Sequence, residues 1–214
     1  MTDNIEYDVS GYTHNAVRNN ITYSSDSPRY NGSYVLNGTN TCYIESTSLP
    51  SETQSVSFWI KAGTITGSSV VFADYGSKIA FGFNGNNTTY IVCDLVSSSS
   101  SYSTGTRCVA GDNWKSDDWN HIVVIRLTSS PSYTFKTYLN GVLLENSSTN
   151  FWTHTTNNFT IGRRSSGSPF NGQISDFRAY ATQLSEDDII ELYHTPISLS
   201  SDGTLLTQGE YVEV

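Results

Sequence analysis

Two tryptophans stand among polar residues in segments without strand periodicity: Trp114 in Gly111-Asp112-Asn113-Trp114-Lys115, and Trp152 in Asn150-Phe151-Trp152-Thr153-His154. A sugar ring lays its apolar face on such an indole, while its hydroxyls take hydrogen bonds from short polar side chains and backbone groups. Asp74, Tyr75, Asn84, Asn86 and Tyr102 supply those partners if their loops converge. The candidate ligand-binding set is therefore Trp114, Trp152, Tyr75, Asp74, Asn84 and Tyr102. The competing account of each tryptophan is a lid tucked over the edge of the core.

Other chemistries find less support. Asp117-Asp118 precedes a strand in a turn, and Glu186-Asp187-Asp188 opens a helix, where capping accounts for the acids. His14, His121, His154 and His194 are scattered, with no GxSxG motif to supply a nucleophile. No catalytic residue is expected. Cys42, Cys93 and Cys108 are odd in number and lack CxxC spacing, so a disulfide framework and a cysteine metal site are both disfavoured. Cys93 and Cys108 are expected opposite each other across the Ser97–Ser101 loop.

Eleven Lys and Arg against 20 Asp and Glu leave a net charge of −9, which disfavours nucleic acid and anionic membrane as partners. The basic pair Arg163-Arg164 is isolated and has no stacking motif around it. No run approaches a membrane span, and the opening MTDNIEYDVSG has neither the basic nor the apolar region of a signal peptide. Only 14% of residues are charged, so Ser, Thr, Asn and Gly must cover the surface, as in extracellular and virion proteins.

The elements that would position these residues are strands. Val56, Phe58 and Ile60 alternate with Ser57, Trp59 and Lys61, and a second alternation runs from Trp119 to Leu127. Both runs carry apolar residues on both faces, which predicts central strands and places Trp59 and Trp119 in the core. Tyr133–Leu139, Asn140-Gly141 and Val142–Leu144 form a hairpin signal, because Asn-Gly supplies the positive φ angles of a type I′ turn. Further strands are expected at Tyr34–Leu36, Val70–Ala73, Ile79–Phe83, Tyr90–Val96, Arg107–Ala110, Phe159–Gly162 and Gln173–Tyr180. One helix follows Ser185, with Asp188 closing a capping box, Leu184 stapling onto Ile189, and Leu192 and Tyr193 sharing its face. Ser198–Val214 reads as two short extended pieces around Ser201-Asp202-Gly203.

Trp119-Asn120-His121-Ile122-Val123-Val124, Tyr138-Leu139-Asn140-Gly141, Phe159-Thr160-Ile161-Gly162, Phe170-Asn171-Gly172-Gln173-Ile174 and Leu184-Ser185-Glu186-Asp187-Asp188 occur in an order that resembles the concanavalin A-like, laminin-G-like jelly roll. The opening Asp8-Val9-Ser10-Gly11-Tyr12 and Ser25 to Val35 resemble the versions found in bacteriophage tail and other virion proteins. The resemblance implies an all-β sandwich of two antiparallel sheets with one short C-terminal helix, over residues 1–195. Residues 196–214 are then an extension or a connector to a following segment.

Hydrolases of that fold usually carry their carboxylates on one strand in an ExDxxE pattern, which is absent here. By the same resemblance a structural calcium ion would be held by Asp8 and Asp176 with the carbonyl of Gly32 or Asn31; the alternative is that Asp176 pairs with Arg178 or Arg29. The expected function is noncatalytic, lectin-like recognition of glycans on a bacterial surface or in mucus by a phage structural protein. The alternative is a structural decoration or assembly domain. Partners would be cell-surface or mucin glycans and other virion proteins.

Overall fold

Alternation of apolar residues on two neighbouring strands can bury one face of a sheet; burial of both faces requires something on each side. A computed structural model of the chain shows what those are. It describes residues 5–6, 15–29, 32–47, 53–65, 67, 69–74, 79–83, 90–93, 106–109, 113–115, 117–127, 134–144, 158–163, 167–194, 198–199 and 205–206.

In chain order the strands are β1 (Ile5–Glu6), β2 (Ala16–Asn19), β3 (Thr22–Ser24), β4 (Ser33–Asn37), β5 (Tyr43–Thr47), β6 (Ser55–Ala62), β7 (Ser69–Asp74), β8 (Ile79–Phe83), β9 (Tyr90–Cys93), β10 (Thr106–Val109), β11 (Asn120–Leu127), β12 (Thr134–Leu139), β13 (Val142–Leu144), β14 (Asn158–Ile161) and β15 (Asn171–Tyr180). Helix α1 (Glu186–His194) follows, then β16 (Ser198–Leu199) and β17 (Leu205–Leu206). One sheet has the order β1-β2-β5-β14-β7-β8-β9-β10 and the other β13-β12-β11-β6-β15-β4-β3. Every pairing is antiparallel, and β16 and β17 pair only with each other.

The core lies between the two large sheets. On β6 and β11 the register sets Val56 beside Val124 and Phe58 beside Ile122, and these side chains point inward. The Phe58 ring meets Phe72 and Phe81 edge-on at 5.3 and 5.2 Å and stacks on Phe177 at 5.9 Å, the arrangements that aromatic quadrupoles favour.

The opposite faces of β6 and β11 are covered by α1. Ser185 caps its start: the Asp188 N–H donates to Ser185 Oγ at 3.2 Å, and the Ser185 N–H donates to the Asp188 carboxylate at 2.8 Å. Ile189 then packs on Val123, Ile125 and Tyr138, with Leu184 beside them. At the other end Tyr193 stacks on Trp59 at 5.8 Å and on His121 at 6.1 Å. Trp59 and Trp119 are each 7% exposed, as expected of buried rings, yet Trp59 is buried under α1 rather than between the sheets.

Asn140 and Gly141 adopt φ of 53° and 80°, which makes the expected tight hairpin between β12 and β13. One expectation needs correcting. Cys93 pairs with Thr106 and Cys108 with Ile91, so the two cysteines are offset by two residues in register instead of facing each other. Cys42 is a free, buried thiol that donates to the Asn20 carbonyl at 3.3 Å.

Candidate functional site

The register of the β4, β15 and β6 trio sets Val35, Gln173 and Lys61 in one row across the outer face of the seven-stranded sheet. They border a trough of about 450 Å³, which Asn37, Asn171 and Asp117 also line. A second hollow of about 380 Å³ shares Asn37 and Asn171 and extends toward Thr64, Ser69 and Pro169. Two asparagines thus stand on the ridge between adjoining hollows at one end of the sandwich.

Each wall has a local cause. Gly172 separates Asn171 from Gln173 at φ 154°, where a Cβ would lie 2.5 Å from the Lys61 carbonyl, so only glycine lets β15 approach β6 this closely. Asn37 Oδ1 accepts from the Thr39 N–H at 3.1 Å and the Thr39 hydroxyl at 2.8 Å, an Asx turn that leaves its amide N–H₂ for other partners. Gln173 Oε1 accepts from Ser33 Oγ at 2.7 Å. Lys61 Nζ meets Asp26 Oδ2 at 2.9 Å, and the Trp119 indole N–H donates to Asp26 Oδ1 at 3.1 Å. Lys61 and Trp119 together hold the Asp26 carboxyl below its ordinary range. Asp117 is exposed in a left-handed turn at φ 58°. Fixed amides, an acid and an ion pair above a floor of Val35, Ala62 and Gly172 can grip a polyhydroxylated ring by several hydrogen bonds at once.

Trp114 is half-buried: it meets Phe83 edge-on at 5.5 Å and packs against the inter-sheet core. It comes from the same turn as Asp117, and Phe83 stacks in turn on Phe170, the residue before Asn171. Trp114 therefore backs the trough's end of the sandwich. Asp74 closes β7 at the other end, about 16 Å along the strand from Ser69 of the second hollow. Tyr75, Asn84, Tyr102 and Trp152 lie outside the described residues, as do Asn86, Asn31 and Asp8. Asn37, Lys61, Asp117, Asn171 and Gln173 were not singled out from sequence; the signal was present in Asn37-Gly38 and Phe170-Asn171-Gly172, two asparagine–glycine pairs whose asparagines the β4–β15 register sets opposite each other.

Asp176 occupies a β-bulge at φ 51°. Its Oδ1 accepts from Arg178 Nε at 2.8 Å, and its Oδ2 faces Arg29 Nε at 3.7 Å. The Gly32 carbonyl accepts from Ser175 Oγ at 2.8 Å. The Asp176 carboxylate thus faces two guanidinium groups, the arginine-paired arrangement, and among the described residues, which do not include Asp8, no three acidic, histidine or cysteine side chains gather in reach of one ion.

Ser57 and His121 form a buried pair, with Ser57 Oγ 2.8 Å from His121 Nε2 under the Tyr193 ring. Burial, and then the charges of Arg29 and Arg178, push the imidazole down to about 3. Such a group is a weak base, and among the described residues no carboxylate orients its Nδ1. The pair ties β6 to β11 where the Tyr193 ring of α1 stacks on the imidazole.

Among solved structures, the receptor-binding domain of botulinum neurotoxin type G superposes with a TM-score of 0.64 at 16% identity, over 87% of this chain and 47% of that one. The binding domain of botulinum neurotoxin DC in complex with SialylT gives 0.61 at 18% identity, over 93% and 51%. This chain thus spans about half the length of those toxin domains. Domain 4 of an extracellular GH43 arabinanase from Geobacillus stearothermophilus, in complex with arabinotriose, gives 0.58 at 20% identity, over 84% and 87%. These likenesses establish a shared fold. No curated protein matches in sequence. A laminin-G-like family model, described as the concanavalin A-like lectin/glucanases superfamily, matches residues 36–190, from β4 into α1. With most strands of both sheets and the start of the closing helix inside that match, the chain belongs to the laminin-G-like family of the concanavalin A-like lectin and glucanase superfamily.

Proposed function

We propose that this domain is a noncatalytic, lectin-like module that binds glycan in the trough around Asn37, Asn171 and Gln173. The single observation that carries the reading is that trough, in which fixed amide side chains rim an apolar floor on a rigid sheet. The arabinanase domain with arabinotriose and the toxin domain with SialylT support it, as two glycan complexes of the same fold. Display on a phage particle, facing bacterial-surface or mucin glycans, rests on the resemblance of the opening segments to virion proteins. Residues 196–214 would then connect the 1–195 sandwich to a neighbouring segment. Each site is small, so binding strength would come from many copies on one particle.

A second reading, assembly with other virion proteins, is favoured by the exposed apolar residues Val142 and Leu143 of edge strand β13 and Ile190 of α1, which are 47%, 43% and 47% exposed. A screen of glycans and bacterial cell walls, with the domain on a multivalent carrier and with calcium or chelator, separates the two. The expected result is retention on a defined glycan class regardless of chelator. A clean negative across all surfaces would transfer the assignment to assembly.

A further inference from the structure

From the charges that face the trough we infer that it selects neutral glycans and turns acidic ones away, with Asp117 as the discriminating residue; this rests on the glycan-binding reading above. Lys61 is the one cation among the trough's described lining residues, and Asp26 neutralises it at 2.9 Å. Lys115, in the same turn as Asp117, is directed elsewhere: its Nζ donates to the Tyr193 hydroxyl at 3.0 Å and lies over the Tyr193 ring. Asp117 is exposed on the trough wall and forms no ion pair among the described residues. Lys61, Asp26 and Asp117 therefore sum to one negative charge, inside a chain of net charge −9. A carboxylate or phosphate on the ligand would enter against that field and find no free guanidinium or ammonium among the trough's described lining residues, whereas hydroxyls meet the Asn37 amide, Gln173 and an acceptor carboxylate. Specificity here arises from the penalty on the wrong ligand.

The test uses the full chain on a multivalent carrier, with arabinan and a soluble β-glucan as neutral probes and polygalacturonate and hyaluronate as acidic ones. Asp117→Asn removes the charge and keeps a residue type that tolerates φ 58°. Wild-type protein is expected to be retained on a neutral polymer and not on the acidic ones at low salt. Asp117→Asn should raise the acidic-to-neutral retention ratio about threefold to tenfold, an effect that fades as salt screens the charge. Asp187→Asn, an equal change in net charge on α1, should leave the ratio unmoved. Equal wild-type retention on both classes, or a ratio that Asp117→Asn does not shift, would overturn the inference while the glycan-binding reading stands. Retention on no polymer of either class would overturn both.

Discussion

Acidification from pH 6.5 toward pH 3 is expected to cost the domain on the order of 4 kcal/mol through His121 alone. The imidazole is 1% exposed, lies beside Trp59 and under the Tyr193 ring, and is pushed down to about 3, first by burial and then by Arg29 and Arg178. In the unfolded chain it returns to about 6.5. Between those two values the unfolded state binds the extra proton, so stability falls as pH falls, by up to about 1.4 kcal/mol per pH unit, and the loss is complete below the folded value. Lys115, on Tyr193, adds positive charge on the same side. Carboxylates with lowered values, such as Asp26, contribute their own acid sensitivity, so the comparison must be of slopes. Urea titrations from pH 3.5 to 7.5 should show a steeper loss in wild type than in His121→Phe, which keeps a ring in the stack and cannot titrate. Independently, the imidazole ¹⁵N shifts of His121 should stay those of a neutral ring down to about pH 4. Titration near pH 6.5 would refute this account of the helix docking.

The second large effect is at the bulge in β15. Asp176→Ala is expected to destabilise by about 3–5 kcal/mol, because it strips Arg29 and Arg178 of their carboxylate and puts alanine at φ 51°. Arg29 has little room to recover: its side chain is 6% exposed, lies over the Trp59 ring and donates to the Leu192 carbonyl at the end of α1. Asp176→Asn tolerates the left-handed backbone and keeps an acceptor, so it should cost about half as much. Chelator should leave the wild-type thermal midpoint unchanged. A midpoint that falls on chelation and recovers with calcium would mean that Asp176 holds an ion instead of closing an arginine pair.

Much of this architecture could be read locally. The alternation from Val56 to Ile60 and from Trp119 to Leu127, the Asn140-Gly141 turn and the Ser185–Asp188 box each encode their own element within a few residues. The burial of Trp59 could be anticipated, but its partner could not, since the covering Tyr193 and Arg29 come from opposite ends of the sandwich sequence. Nor does a run such as Ser175-Asp176-Phe177 announce a positive φ in mid-strand; that strain persists because two arginines are placed to receive the carboxylate.

The trough was hidden for a related reason. Asn37, Lys61, Asp117 and Asn171 belong to four separated segments, and only the β4-β15-β6 register and the placement of Asp117 ahead of β11 bring them together. Reasoning from exposed rings points to Trp114, which lies at the trough's end of the sandwich but spends one edge on Phe83. Asp74, chosen by the same logic, ends its strand at the far side. Loop composition alone carries no information about which end of a strand a loop leaves from.

The claim that the trough is the binding surface is tested most directly by titrating isotope-labelled protein with the best glycan from the screen and mapping the amide shifts. The account predicts that the largest changes fall on Asn37, Lys61, Asp117, Asn171 and Gln173, with smaller ones at Trp114. Shifts centred instead on β13 and α1, or on the end of β7 at Asp74, with the trough unmoved, would contradict it.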